Sequence, residues 1–136
     1  MPHHITHEHV QAWLDAYVHA WESGDAADVE ALFTEDAEYR YHPADEPEVG
    51  REKIVFGWLN LNGEPGRQDA PGTFHGEYRP YAVDGSRAVA VGTSTYWTDA
   101  SRTTSAGIYY NNWLLEFGDD GKCRSFTEYW MVPRDS

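Results

Sequence analysis

The amino-acid sequence predicts a single α+β domain, in which three N-terminal helices pack against a strongly curved, mixed or antiparallel sheet. Two observations support this prediction. Apolar residues recur with a helical period early in the chain, and from residue 73 onward the period changes to two and stays there. Helices segregated in this way pack on one face of the sheet. A twisted sheet folded over helices forms a cone, and its mouth is a natural site for a small molecule.

Length and composition limit the class of protein. The chain has 136 residues without a repeat, which suits one domain over 1–136. A net charge of −13 disfavours nucleic acid and anionic membrane surfaces as partners. The single cysteine, Cys123, excludes an internal disulfide, no apolar run is long enough to span a membrane, and the N-terminus lacks the regions of a signal peptide. We therefore expect a cytoplasmic protein.

The first helix is predicted from an apolar stripe with helical spacing. Its members are Val10, Trp13, Leu14, Tyr17, Val18 and Trp21. Thr6 can cap this helix, and Gly24 ends it. Because the Tyr17 hydroxyl needs a partner wherever the ring is buried, Tyr17 is either a core residue bonded to a backbone carbonyl or a donor at the back of a pocket. His3 and His7 lie four residues apart, but nothing completes a metal-ligand set, so no metal is expected.

Two further helices follow. Asp25 caps a short helix that runs to about residue 33. A third helix over about 51–61 is indicated by apolar residues at i, i+4 and i+7, namely Ile54, Trp58 and Leu61. Gly and Pro punctuate residues 62–72, which are predicted to form a loop.

A strand over residues 38–42 separates the second helix from the third. Side-chain alternation places Tyr39 and Tyr41 on one face and His42 on the other, before Pro43 ends the strand. The two tyrosines are predicted to line a pocket. His42 has a suitable reference pKa for proton transfer, but it reaches the same pocket only if the strand end rotates.

The rest of the chain is predicted to be a four-strand meander. The strands are 73–83, 87–97, 105–117 and 122–132, joined by hairpin turns at 84–85 and 118–121 and by a longer loop at 98–104. On the third of these strands, alternation groups Tyr109, Asn111 and Trp113 on one face and places Tyr110 and Leu114 on the other.

Glu128 is the most informative charge in the sequence. Its neighbours on the same strand face are Phe126 and Trp130. A carboxylate flanked by two aromatic rings is partly desolvated, which would raise its pKa to about 6 and suit a general acid or base. The alternative is a glutamate at the rim of the cone, or one paired with Arg124 or Arg102.

Over nearly its whole length the chain resembles the nuclear transport factor 2-like superfamily. The resemblance rests on Tyr17, Gly24-Asp25, Ala31-Leu32-Phe33, Asp36-Ala37, Pro43, Gly50-Arg51 and Ile54, and on Gly121-Lys122-Cys123 and Phe126-Thr127-Glu128-Tyr129-Trp130 at the close of the chain. The superfamily includes SnoaL-like polyketide cyclases, ketosteroid isomerases and limonene epoxide hydrolases. Its scaffold carries many unrelated functions, so the resemblance implies the fold more specifically than the activity.

The resemblance to ketosteroid isomerases places their oxyanion-hole tyrosine on Tyr17. Their catalytic aspartate falls on Tyr41 or His42, and their second oxyanion donor falls near Trp113. This chain therefore keeps one of the three roles clearly, could fill a second with His42, and lacks the third.

The resemblance to limonene-type epoxide hydrolases is also partial. Their tyrosine and asparagine, two residues apart before a proline, correspond to Tyr39 and Tyr41, and their last-strand aspartate corresponds to Glu128. Their arginine and second aspartate have no counterpart in residues 92–96. The SnoaL-like cyclases need only a carboxylate or histidine in the cone, which Glu128 or His42 can supply.

The resemblance also implies that Asn111 and Trp113 face the concave side, where Asn111 could donate to and accept from a ligand. The predicted catalytic residues are Glu128, Tyr17 and His42. The predicted ligand-binding residues are Trp13, Tyr39, Tyr41, Trp58, Tyr109, Asn111, Trp113, Phe126 and Trp130. No cofactor is expected.

The opposite face of the sheet carries Tyr110, Leu114 and Tyr129, an apolar patch that we expect a second subunit to bury in a homodimer, as is common in the superfamily.

The predicted function is to bind a small, largely apolar ring-containing molecule, with cofactor-independent acid–base chemistry of an isomerase, cyclase or lyase. The alternatives are a ligand-binding module without turnover and a protein-interaction module of the same fold.

Overall fold

Three helices and six strands make up the computed structural model, which describes residues 4–60 and 69–134 and confirms the predicted mixed α+β class. The helices are α1 (His7–Ser23), α2 (Ala26–Glu30) and α3 (Arg51–Leu59). The strands are β1 (Phe33–Arg40), β2 (Glu48–Val49), β3 (Phe74–Asp84), β4 (Arg87–Trp97), β5 (Ser105–Phe117) and β6 (Cys123–Met131). Helix α1 packs against β3, and α3 packs against β1. Among the described residues, no helix combines the length and the apolar character needed to cross a membrane.

Helix α1 begins and ends where its capping residues predict. The Thr6 side chain accepts a hydrogen bond of 3.0 Å from the His9 amide, and Gly24 adopts the left-handed conformation with φ 61°. The buried residues of α1 are four members of the stripe, Val10, Trp13, Leu14 and Tyr17, together with Ala20. One face of α1 therefore supplies much of the core.

The boundary between α2 and β1 differs from the prediction. Helix α2 ends at Glu30, three residues early, because the Leu32 carbonyl turns away to accept a bond of 2.8 Å from the Cys123 amide of β6. Strand β1 then runs from Phe33 to Arg40, with an irregularity in its pairing between Phe33 and Glu38. The strand thus starts earlier than residue 38 and stops before 41–42, which lie in a bend.

The six strands form one open sheet in the order β2-β1-β6-β5-β4-β3. The β1–β6 pair is parallel, and every other pair is antiparallel. Tyr39 lies opposite Phe126 across the parallel pair, and Trp113 lies opposite Glu128 across the β5–β6 pair. The first strand and the last strand are therefore neighbours inside the sheet.

The core beneath the helices is built largely from aromatic rings. Phe126 is fully buried and stacks on Tyr39 at 4.3 Å between ring centroids, with an interplanar angle of 5°. The Tyr17 ring lies parallel to Phe126 at 5.8 Å, and Trp13 packs edge-on against Phe33 at 6.0 Å. Contacts of this kind add about 0.5–1.5 kcal/mol each to the gain from burial.

Two glycines make room for one of these rings. A Cβ at Gly92 would overlap both the Glu77 carbonyl oxygen and the Tyr78 ring, and a Cβ at Gly76 would come within 2.6 Å of the same ring. Because neither position carries a Cβ atom, the Tyr78 ring can lie close to the sheet, where its centroid is 4.1 Å from that of Trp113. The position of Tyr78 thus depends on the lack of side chains beneath it.

We expect Gly92→Ala to destabilise the protein by about 2 kcal/mol or more, because the added methyl group must displace a strand backbone as well as a packed ring. Urea unfolding followed by near-UV circular dichroism would measure the loss. Thr93→Ala, at the next position on the opposite face of β4, is the control. Equal stability of Gly92→Ala and wild type would contradict this account of the close approach.

Candidate functional site

A cavity of about 260 Å³ lies between α1, α3 and the inner face of the sheet. Aromatic side chains dominate its wall: Tyr17, Trp21, Tyr39, Tyr41, Trp58, Tyr78, Tyr96 and Trp113. The other lining residues are Ala20, Gly24, Leu59, Asp69, Ser94 and Glu128. The described part of this wall thus contains two carboxylates and no lysine, arginine or histidine. A concave, mostly apolar space with a few polar groups is typical of a small-molecule site.

The cavity brings together half of the residues that the sequence suggested for a site. Those that line it are Tyr17, Tyr39, Tyr41, Trp58, Trp113 and Glu128. Those that lie elsewhere are Trp13, His42, Tyr109, Asn111, Phe126 and Trp130. The placement is an observation, and the functional role of each residue stays a prediction.

Glu128 is the acidic group on the sheet side of the cavity. It is half-buried, and its Oε2 accepts a hydrogen bond of 3.2 Å from Trp113 Nε1. Burial raises the pKa of the Glu128 carboxyl from about 4.5 to about 7, and the Trp113 hydrogen bond offsets part of that rise. The direction of the shift is the one that the sequence predicts, and its cause is burial of the carboxyl.

The alternative in which an arginine neutralises Glu128 is wrong for both candidates. Arg124 lies 3.3 Å from Glu116 instead. The Arg102 guanidinium lies 4.5 Å from the centre of the Trp97 ring and donates to backbone carbonyl groups near the start of β3. Within residues 4–60 and 69–134, no cationic side chain forms an ion pair with Glu128.

Tyr17 and Tyr39 form a hydroxyl pair on the cavity wall, with 3.1 Å between the two oxygens. Of the two alternatives for Tyr17, the hydrogen bond to a backbone carbonyl is therefore not the one found. Burial raises the pKa of Tyr17 and of Tyr39 well above the ordinary tyrosine value, and the nearby charge of Glu128 adds to both shifts. Both hydroxyls remain protonated at neutral pH, so they can act as uncharged hydrogen-bond donors.

A second hydroxyl pair, Tyr78 and Ser94, lines another part of the wall. Asn111 Nδ2 donates to Ser94 Oγ at 2.9 Å. Asn111 itself is only 5% exposed and does not line the cavity, and its Oδ1 has no hydrogen-bond partner in the described part of the chain. The predicted direct contact of Asn111 with a ligand is thus replaced by a role in holding Ser94.

Trp13 and Phe126 belong to the core instead of the cavity wall. The Trp13 indole donates to the Leu32 carbonyl at 2.9 Å, which fixes α1 against the start of β1. Both Tyr17 and Tyr39 stack on Phe126, with centroid distances of 5.8 and 4.3 Å. Their inward direction was correctly predicted, but other rings lie between them and the cavity.

His42, Tyr109 and Trp130 lie outside the cavity. His42 is exposed because β1 has already ended, and its Nδ1 accepts a bond of 3.1 Å from the Ala44 amide. Its ring lies 6.1 Å from that of Trp130, which in turn lies 5.6 Å from Tyr109. His42 therefore does not line the cavity, and its role in proton transfer stays a prediction.

Eight residues of the wall were not predicted from the sequence, and five of them have aromatic or polar side chains: Trp21, Asp69, Tyr78, Ser94 and Tyr96. Trp21 was the last member of the α1 stripe, and alternation along β3 and β4 could have placed Tyr78, Ser94 and Tyr96 on the inner face. Asp69 lies in a predicted loop and gave no signal. Its Oδ2 accepts a bond of 2.8 Å from the Trp21 indole.

The described residues contain no group of three or more His, Cys, Asp and Glu side chains able to hold a metal ion. Of the two histidines considered at the N-terminus, His3 lies outside the described residues. Cys123 is buried, and burial raises the pKa of its thiol, so it is not a reactive thiolate.

The raised pKa of Glu128 makes a prediction about stability. Between its unfolded pKa of about 4.5 and its folded pKa of about 7 the folded state binds the extra proton, so stability decreases as pH rises through this window. At 1.36 kcal/mol per pKa unit the full loss is about 3 kcal/mol. We expect Glu128→Gln to be more stable than wild type at pH 8 and to depend less on pH between 5 and 8, as measured by urea unfolding.

The control for that comparison is Glu35→Gln, an exposed strand glutamate away from the cavity. Its free energy of unfolding should follow that of wild type at both pH values. If Glu128→Gln showed the same pH dependence as wild type, the burial of a charged carboxylate at this position would be contradicted.

Comparison with known proteins agrees with this architecture. The model of the SnoaL-like domain family matches residues 14–125. A search of curated proteins finds no match. An NTF-2 like protein of unknown function from Burkholderia xenovorans LB400 is similar in structure, with a TM-score of 0.65 and 19% identity over 95% of this chain and 88% of that one.

Two further solved structures share the fold. A LEH-like epoxide hydrolase from M. tuberculosis has a TM-score of 0.59 and 15% identity, and covers 91% of this chain and 84% of its own. A proposed polyketide cyclase from Xanthomonas campestris pv. campestris has a TM-score of 0.62 and 19% identity, with 92% of each chain covered. At these identities the similarity establishes the fold alone. Because the family model spans most of the chain, this protein belongs to the SnoaL-like domain family and has its nuclear transport factor 2-like fold.

Proposed function

We propose that this protein binds a small, largely apolar, ring-containing molecule in the aromatic cavity, and that Glu128 acts there as a general acid or base. The observation that supports the proposal most directly is the Glu128 carboxyl on the cavity wall, whose pKa is raised to about 7 by burial. A group with that pKa is present in both protonation states near neutral pH, which general acid–base catalysis requires.

The wall supplies the other groups that such a reaction needs. Glu128 would take a proton from a carbon next to a carbonyl group, so that negative charge moves onto the carbonyl oxygen. The Tyr17–Tyr39 hydroxyl pair can donate a hydrogen bond to that oxygen. The proton held on Glu128 then returns to a different atom of the substrate, which completes an isomerisation, a cyclisation or an elimination without a cofactor.

The names of two similar structures, a LEH-like epoxide hydrolase and a proposed polyketide cyclase, favour an enzyme over a pure binding protein. The choice between the reaction types is not set by the fold, since one scaffold carries many activities. Binding without turnover is the second candidate, because all the same side chains would serve it.

Proton abstraction can be tested without knowing the substrate. 5-Nitrobenzisoxazole is a flat ring compound, and a base that removes its C3 proton breaks the N–O bond and releases a coloured phenolate. We expect wild type to accelerate this reaction with a rate that rises to a plateau as pH passes about 7, where Glu128 loses its proton. Glu128→Gln should lower the rate by about 100-fold or more.

Glu35→Gln, which keeps the cavity intact, should react at the wild-type rate. Equal rates for wild type and Glu128→Gln would refute Glu128 as the base. If the probe binds, as seen by thermal shift, but neither protein converts it faster than buffer, the result favours binding without turnover.

We also propose that the protein is a homodimer whose subunits meet through the outer face of the sheet. The support is an apolar patch formed by Tyr110, Leu114 and Tyr129, which are 47%, 45% and 43% exposed. The three lie on adjacent strands, and at the margin Glu116 pairs with Arg87 and Arg124 at 3.3 Å each. An apolar centre with paired charges at its edge suits a self-complementary contact about a two-fold axis.

Sedimentation tests the dimer. Wild type at micromolar concentration should show twice the mass of one chain, and Leu114→Glu should weaken association by more than about 10-fold because it buries an unpaired charge. Phe56→Glu, a similar change at an exposed apolar residue on α3, is the control and should leave the dimer intact. A monomeric mass for wild type would contradict the proposal.

A further inference from the structure

The charge of the cavity points to the chemical class of its ligand. Its described wall carries two carboxylates, Glu128 and Asp69, and no basic side chain. The only hydrogen bond that Glu128 accepts from the described residues is the one from Trp113 Nε1, and that bond occupies Oε2. A carboxylate can accept several hydrogen bonds, so most of the capacity of Glu128 is unused.

The charge of Glu128 acts on five tyrosines of the cavity wall. Burial is the main cause that raises the pKa of these five tyrosines, and the charge of Glu128 adds to the rise: Tyr17, Tyr39, Tyr78, Tyr96 and Tyr41. Asp69 acts in the same direction on Tyr96, and Glu48 does so on Tyr41. The potential inside the cavity is therefore negative when Glu128 is ionised.

The aromatic rings of the wall also favour a positively charged ligand. The faces of tyrosine and tryptophan rings are electron-rich and attract cations, with about 0.5–2 kcal/mol per contact. Tyr17 contacts both Trp58 and Trp113, with centroid distances of 4.8 and 4.6 Å and interplanar angles of 74° and 52°, and all three side chains line the cavity. A cation in the cavity would therefore meet several aromatic side chains at once.

Three classes of ligand can be compared against this environment. An anion would meet repulsion from both carboxylates. A neutral molecule would leave Glu128 either as a half-buried charge without an ion-pair partner among the described residues or in its protonated form. A cation would supply such a partner to a half-buried carboxylate, for which charge-assisted hydrogen bonds and ion pairs are stronger than in water.

We infer that the cavity is selective for an organic monocation, an amine or quaternary ammonium group carried on a small ring-containing molecule, with Glu128 as its counter-ion and the aromatic wall around it. This inference rests on the proposed function, because it requires that the cavity binds a ligand, and it specifies the charge of that ligand. The overall charge of −13 would further favour the approach of such a cation.

The test uses three probes of nearly one shape. They are 4-(hydroxymethyl)phenyltrimethylammonium, its uncharged carbon isostere 4-tert-butylbenzyl alcohol, and the anion 4-(hydroxymethyl)benzoate. Calorimetric titration of the full chain at pH 8 should give a dissociation constant for the cation that is lower than that of the isostere by about 10-fold or more. The anion should bind more weakly than either.

Glu128→Gln should reduce the preference for the cation over its isostere to less than about 3-fold, because it removes the counter-ion and keeps the shape. Glu35→Gln should keep the wild-type preference. A measurement on wild type alone gives the same information: the preference should fall between pH 8 and pH 5.5 as Glu128 gains its proton. The tyrosines that face Glu128 keep their protons over this pH range. Asp69 and Glu48 are the other carboxylates near these tyrosines, and any effect that they have on the preference for the cation would persist in the Glu128→Gln protein.

The outcomes separate the inference from the proposal on which it rests. If the uncharged isostere binds wild type as tightly as the cation at pH 8, the inference is overturned and ligand binding in the cavity stands. If the cation preference survives unchanged in Glu128→Gln, the assignment of Glu128 as counter-ion is overturned. If none of the probes binds at millimolar concentration, both the inference and the proposed binding function are contradicted.

Discussion

The parallel pairing of β1 with β6 is the contact on which the rest of the site depends. It joins the first strand of the chain to the last one, with Tyr39 opposite Phe126. Parallel neighbours cannot be joined by a tight turn, so the intervening chain must cross over, and α3 with the other strands does so. The pairing begins where the Cys123 amide meets the Leu32 carbonyl, which also holds the Trp13 indole. A single carbonyl group thus links α1, β1 and β6.

This pairing places an acid where an apolar core would otherwise continue. Two residues after Phe126, strand alternation brings Glu128 to the same inner face, where it shares the cavity wall with Tyr17 and Tyr39. Burial of that carboxyl costs about 3 kcal/mol of stability at neutral pH, by the pKa shift given above. A cost of this size, not offset by an ion pair in the described chain, is more easily explained by function than by folding, since functional sites are where such costs are tolerated.

Periodicity predicted much of this structure from the sequence. Alternation identified the strands from Phe74 to Met131 within one or two residues, because each is bounded by turn residues. The resemblance, and not alternation, implied that Trp113 faces the concave side. The boundary between α2 and β1 was not predictable in this way, because it is set by a hydrogen bond from Cys123, about ninety residues later in the chain. Where long-range contacts override local preference, a single sequence gives no signal.

The same distinction explains the errors within the site. Alternation tells which face a residue occupies but not how far along the strand the cavity extends, so Asn111 and Trp113 shared a face and only Trp113 reaches the wall. His42 was assigned on the assumption that β1 continues past residue 40. Tyr78 and Tyr96 were missed because no single residue type marked them as different from core residues, although the glycines at 76 and 92 show afterwards why one of these rings can lie so near the sheet.

The open volume of the cavity and the raised pKa of the Glu128 carboxyl have the same physical cause. Large rings that lean on one another cannot collapse to fill the space between them, and the same rings keep water from solvating Glu128. Occupancy of the cavity and protonation of Glu128 are therefore linked. A neutral ligand excludes more water, raises the pKa of the carboxyl and takes up protons on binding, whereas a cation lowers that pKa and releases them. The direction of proton exchange is thus determined by the charge of whatever this cavity holds.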